Sequence, residues 1–212
     1  MRVLGADPSL SNFGWALYNS DLAAPGRCVV HGRFQTSSKM LFVDRYIEMR
    51  ENVRDLIRKL QITRMGVEYP VFKELYSEGM YSLFIYTCEA LRLEKVDVVF
   101  FSPGQVKAHA RLFLGRPEGW KMGKPDMVEA TKLSEGVVMN HNDSDALWVA
   151  RVASRFWQLH DGEITIDDLT PVELKQFLDI KKYTKGKHAG ETEMKGIVYR
   201  EDERFFCWSK GE

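Results

Sequence analysis

Short blocks of apolar residues, broken by turn formers, fill the first part of the chain. Residues 2–7 (Arg-Val-Leu-Gly-Ala-Asp) read as a buried strand that Pro8 and Ser9 break. Residues 13–18 (Phe-Gly-Trp-Ala-Leu-Tyr) and 27–36 make two more strands, separated by Asn19, Ser20 and Pro25-Gly26. Connections this short favour antiparallel pairing, so a three-stranded meander is predicted. From 42 to 60 the period changes. Val43, Tyr46, Ile47, Val53, Ile57 and Leu60 recur at three- and four-residue spacing with charges between them, as in an amphipathic helix. Residues 64–69 form a fourth strand ended by Pro70, 77–93 a helix, and 95–101 a fifth strand. Helices follow at about 103–114, 124–134 and 143–159. This order predicts an α/β layered domain with a mixed five-stranded sheet flanked by helices.

The pattern weakens after residue 160, so the chain divides into a domain at 1–160 and a small C-terminal extension at 161–212. In the extension, Thr170 and Pro171 read as the cap and first position of a short helix. Lys181, Lys182, Lys185, Gly186, Lys187, His188 and Gly190 read as a mobile basic loop, and 195–209 as a closing hairpin with Phe205, Phe206 and Trp208 packed.

With 44% hydrophobic and 12% aromatic residues, the 212-residue chain can fill a sizeable core. No stretch approaches the roughly 18 apolar residues that span a bilayer, and the start lacks the apolar segment of a signal peptide. The expectation is a cytoplasmic protein without membrane contact. Cys28, Cys88 and Cys207 are widely spaced, which predicts reduced thiols rather than a disulfide framework or zinc site. Formal net charge is zero, unusual for a nucleic-acid binder. Placement of charge matters more than its sum. Lys107, Arg111, Arg116, Lys121, Lys124 and Lys132 crowd one region against only Glu118, Asp126 and Glu129.

Acids at strand ends carry the chemistry. Asp7 closes an apolar strand, where a carboxylate is costly to bury unless paired or metal-bound; turn formation before Pro8 explains it equally well. Glu68 repeats the pattern in Gly-Val-Glu-Tyr-Pro. If the strands ending in Asp7 and Glu68 are parallel neighbours, the two carboxylates converge at the edge where open sheets hold ligands. A third acidic place is His141-Asn142-Asp143-Ser144-Asp145, which opens a helix. Asp143 reads as its N-cap, whereas Asp145 lies inside the first turn and needs a separate reason. Three acids from distant segments meeting at one edge form the pattern of a two-metal nuclease, in which ions roughly 3.5–4 Å apart stabilise both oxygens of an in-line displacement. Mg²⁺ suits such a site because it takes few carboxylates and keeps several waters.

Several segments, in order, resemble the RuvC-type Holliday-junction resolvases of the ribonuclease-H-like superfamily. They are Leu4-Gly-Ala-Asp-Pro-Ser-Leu-Ser-Asn-Phe-Gly14, Val67-Glu-Tyr-Pro-Val-Phe72, Ser102-Pro-Gly-Gln-Val-Lys107, Gly123-Lys-Pro-Asp-Met-Val128 and Asn142-Asp-Ser-Asp145-Ala-Leu-Trp-Val-Ala150. The resemblance covers about residues 1–160, and the shortened motifs suggest a phage source. It implies a Mg²⁺-dependent endonuclease, with Mn²⁺ as substitute, acting on four-way or otherwise branched DNA as a homodimer. Asp7, Glu68 and Asp145 would be the metal ligands. The family's fourth active-site residue, an acid or His, lies one helical turn before the last Asp. Asn142 and His141 have that spacing, and Asp143 has the charge but not the helical face. His141 satisfies both criteria and ranks first, with Asp143 kept as a further catalytic candidate. Lys107, Lys121 and Lys124 would contact DNA phosphates, and Phe72 would stack at the branch point; for each, a solvated face or core packing is the plainer alternative. The apolar helix at 77–93 could cover the sheet with one side and meet a partner subunit with another. Alternatives are a nuclease of the same fold acting on RNA or flaps, a phosphotransferase, and a non-catalytic junction binder. A phosphotransferase would need a second Gly-rich hairpin, and no such hairpin is present.

Overall fold

A computed structural model describes residues 1–69, 78–178, 180–182, 192–194, 198–201 and 204–207. Strands β1 (Arg2–Asp7), β2 (Phe13–Asn19) and β3 (Cys28–Phe34) form the expected antiparallel meander. Helix α1 (Phe42–Leu60) returns the chain so that β4 (Arg64–Glu68) pairs parallel to β1, with Ala6 opposite Val67. Helix α2 (Glu78–Leu93) repeats the crossover to β5 (Asp97–Phe101), parallel to β4 with Glu68 opposite Phe101. Helices α3 (Pro103–Phe113), α4 (Lys124–Glu135) and α5 (His141–His160) follow.

Alternation along the strands sorts side chains between two cores. Leu4, Ala6, Met65, Val67, Val98 and Phe100 pack with α1 and α2 on one face. Val3, Val99 and Phe101 pack on the other with Val149, Val152, Ala153 and Phe156 of α5. Helix α1 departs from expectation on its outer side. Tyr46, Val53 and Ile57 are buried, yet Val43 and Ile47 are exposed and adjoin exposed Phe42.

Among the described residues the sheet has seven strands, in the order β3-β2-β1-β4-β5-β8-β9, rather than five. The two added strands come from the predicted closing hairpin, β8 (Val198–Glu201) and β9 (Arg204–Cys207). Strand β8 pairs antiparallel with β5 and so covers an edge whose backbone groups would otherwise be unpaired. Tyr199 enters the core against Phe156 and Trp157, and buried Arg200 donates to the carbonyls of Leu91 and Val96 at 3.0 and 2.7 Å. Before the hairpin lie α6 (Pro171–Leu178), capped by Thr170 as expected, and a small ladder of β6 (Ile180–Lys182) with β7 (Thr192–Met194). Lys181 and Lys182 therefore sit in a strand rather than a loop; Lys185, Lys187 and Trp208 lie outside the described residues.

Candidate active site

Helix α5 lies closer to the sheet than any side chain between them would permit. A Cβ on Gly5 would fall 2.1 Å from the carbonyl oxygen of Ala146, one on Gly66 2.6 Å from the Ala153 methyl, and one on Gly14 2.4 Å from the carbonyl oxygen of Asn142. These three glycines form the seat of the helix. Gly5 and Gly66 face α5, so the residues two positions further on, Asp7 and Glu68, point to the same side. Each lies one step past the last pair of the β1–β4 ladder, Ala6 opposite Val67. Asp145, one residue before Ala146, joins them at the start of α5.

Electrostatics reports the convergence. Desolvation raises Glu68 most, to about 9, with the charges of Asp7 and Asp145 adding to it. Asp145 is raised to about 7 by desolvation and then by Asp7. Burial raises Asp7 to about 6 against the pull of Lys107 and Lys124. The three residues keep part of their surface open to water while protein crowds the carboxylates, so they line the floor of an accessible edge. Oδ1 of Asp145 is buried without a hydrogen-bond partner. Among the described residues, no group of three or more His, Cys, Asp or Glu side chains stands close enough together to hold a metal ion as the side chains lie. Desolvated, mutually repelling carboxylates with an orphaned oxygen nevertheless form a donor set that fits a hard divalent cation retaining waters.

Lys107 reaches this edge because α3 starts just beyond β5. Ser102 caps it, its oxygen accepting from the Gln105 amide while the Gln105 side chain accepts from Ser102 N–H. Lys124 opens α4, and its ammonium lies 3.0 Å from Nε2 of His141. Desolvation and then the charges of Lys124 and Arg33 lower the His141 pKa, so its neutral imidazole accepts from the lysine. Lys121 is exposed on the loop before α4. Phe72 lies outside the described residues.

Asp143 is not the N-cap. Asn140 holds that place, its side chain accepting from the amides of Asn142 and Asp143 at 3.0 and 3.1 Å, because α5 begins two residues earlier than its apolar pattern suggests. The Asp143 carboxylate is buried, and Oδ2 sits 2.8 Å from Nδ1 of His31 on β3. Asp143 also helps raise the Cys28 thiol to about 12, after burial and Glu135. It therefore faces the outer meander rather than Asp7 and Glu68. His31 was not foreseen, since 112 residues separate it from Asp143. Cys28 and Cys88 are free thiols.

The acids dictate how the metal-free protein responds to pH. A carboxyl whose folded pKa is raised favours the fold while protonated. That contribution is full below the ordinary carboxylate range and is lost as pH rises through the raised values, here from about 6 to about 9. In EDTA, the melting temperature should fall between pH 5 and pH 9 more steeply for the parent than for Glu68→Gln. Mg²⁺ at about a hundred times its Kd should restore about 2.7 kcal/mol. Equal slopes for parent and variant would remove the carboxylate cluster as the cause.

The strand order β3-β2-β1-β4-β5, antiparallel and then parallel, with helices on both faces, gives a fold of the ribonuclease-H-like class. Within it the chain is similar to the RuvC-type resolvases. It is 24% identical over 111 residues to the crossover junction endodeoxyribonuclease RuvC of Synechocystis, a match covering 51% of this chain and 66% of that protein. Thermus thermophilus RuvC matches with a TM-score of 0.59 at 18% identity, over 76% of this chain and 97% of that one. The same protein in complex with Holliday junction substrate matches with 0.63 at 18% identity, over 76% and 96%. No family model matches. Among the described residues no helix is long and apolar enough to cross a membrane.

Proposed function

We propose that this chain is a metal-dependent, structure-selective endonuclease that resolves four-way DNA junctions. The observation that carries it is the meeting of Asp7, Glu68 and Asp145 at one accessible edge beside Lys107 and Lys124. The likeness to RuvC, one copy of which was solved with a Holliday junction, supports the substrate. Mg²⁺ ions held by the three acids would supply an activated water and stabilise charge on the attacking and leaving oxygens. Lys107 and Lys124 hold the scissile phosphate against the acids and offset their repulsion. His141, held against Lys124 as a neutral imidazole, orients that ammonium. Cleavage of a four-way junction in Mg²⁺, set against a linear duplex, tests the reading; equal cutting of both would overturn junction selectivity.

Phosphate contacts give affinity that depends on salt but not on sequence. Changing Lys107, Lys121 and Lys124 to Ala should reduce the salt slope of junction binding by about one for each phosphate no longer neutralised. The tail lysines Lys181, Lys182, Lys185 and Lys187, replaced together, provide the parallel measurement. An unchanged slope would assign them to the solvated surface.

Resolution needs two opposed nicks, which a C2 homodimer supplies. Tyr81 and Ile85 are exposed one turn apart on α2, and α2 packs beside α1 with its exposed Phe42, Val43 and Ile47. This apolar surface is the proposed dimer face. A dimeric mass at micromolar concentration is expected, reduced to a monomer by Ile85→Asp. A monomeric parent, unchanged on adding junction DNA, would contradict the dimer.

A further inference from the structure

The segment joining α3 to α4 carries a large aromatic that the catalytic arrangement does not use. Trp120 is 46% exposed, although an indole ordinarily contributes most when buried. The Arg116 guanidinium lies over its ring, 5.2 Å from the centroid. Gly115 and Gly119 take positive φ values of 64° and 87°, and the Trp120 amide donates to the Pro117 carbonyl at 3.1 Å. A built turn therefore presents the ring, stacked on a cation and open to solvent.

Its position in the chain ties it to the acids. Exposed Lys121 follows directly, and Lys124, four residues on, acts electrostatically on both Asp7 and Asp145. Four residues of extended chain span at most about 14 Å between Cα atoms, so the indole stays within a few nucleotides of a phosphate held at Lys124. Aromatic faces interleaved with lysines are the combination that binds unpaired nucleic acid, the cations following the backbone and the ring stacking on a base.

We propose that Trp120, braced by Arg116, is a stacking platform for an unpaired DNA base beside the scissile phosphate. This rests on the nuclease reading above, and it assigns a base contact to the segment that joins α3 to α4. Base pairs at a strand-exchange point open at lower cost than those inside a continuous duplex, so the platform favours branched over linear DNA.

The experiment uses the Asp7→Asn protein, which should bind without cutting. Two probes carry 2-aminopurine: a single-stranded oligonucleotide, and a four-way junction labelled at its branch point. The parent should quench both probes. Trp120→Phe should keep most of the quench, and Trp120→Ala should lose it and bind the oligonucleotide about 5- to 150-fold more weakly. The salt slope should not change, because no phosphate contact is removed. Linear duplex affinity should stay within about twofold, since a paired base offers no free face. The platform is overturned if Trp120→Ala binds the oligonucleotide as the parent does. It is equally overturned if Trp120→Ala weakens duplex and oligonucleotide alike with a reduced slope, which would mean that the ring only positions the lysines. Trp120-dependent quenching without preference for the junction over duplex would uphold the platform and reject the junction reading. Junction preference that survives Trp120→Ala unchanged would do the reverse.

Discussion

Asp7→Asn should reduce junction cleavage by at least about a thousandfold and leave junction binding nearly unchanged. On the proposed reading the carboxylate would hold ions that stabilise several kcal/mol of transition-state charge, and each 1.36 kcal/mol is a factor of ten in rate. Glu68→Gln and Asp145→Asn should behave alike. Because the three acids act as one unit, the double variant Asp7→Asn with Asp145→Asn should lose little more than either alone. Stability moves the other way. Each acid has a raised pKa in the fold and therefore weakens it at pH 8, so each variant should melt higher than the parent in EDTA at that pH. Asp143→Asn provides the contrast. Its carboxylate is committed to His31, so its loss should appear first as a lowered melting temperature. Normal cutting by Asp7→Asn would end the nuclease reading, whatever the melting curves show.

The layered core was legible because alternation and helical period are local properties. The meander, both crossovers and α1 through α5 follow from spacing within each segment, and no boundary differs by more than two residues. Asp7, Glu68 and Asp145 stood out because each is an acid where its element calls for an apolar or capping residue. What stayed hidden was long-range. His31 pairs with Asp143 across 112 residues, and β8 joins β5 across most of the second half of the chain. Nothing local marks either partner. The outward turn of Val43 and Ile47 was equally invisible, since an apolar residue on a helix reads the same whether a core or another surface covers it.

Gly5→Ala should be among the most damaging single-methyl substitutions in the protein. The added carbon would lie 2.1 Å from the Ala146 carbonyl oxygen and 2.5 Å from the Ala150 amide nitrogen. Both obstacles are helix backbone, so no rotamer change relieves the clash and α5 itself must move. Overpacking of a tight core costs about 1–3 kcal/mol and sometimes more. At about 2–4 °C per kcal/mol for a chain of this size, the melting temperature should fall by up to about 12 °C. Gly104→Ala is the control. It is helical, and the nearest atom to its added carbon lies 3.9 Å away. Reduced freedom of the unfolded chain should make that change neutral or stabilising by about 0.4–1 kcal/mol. The two glycines also differ in what they position. Helix α5 carries Asp145, so the Gly5→Ala molecules that remain folded should cleave far more slowly than their folded fraction accounts for, and should need more Mg²⁺ to reach half-maximal rate. Gly104→Ala should change neither. A Gly5→Ala protein that melts with the parent and keeps its Mg²⁺ dependence would show that the seat of α5 is softer than its close approach implies, and that Asp145 is held in place by something other than the glycine floor beneath it.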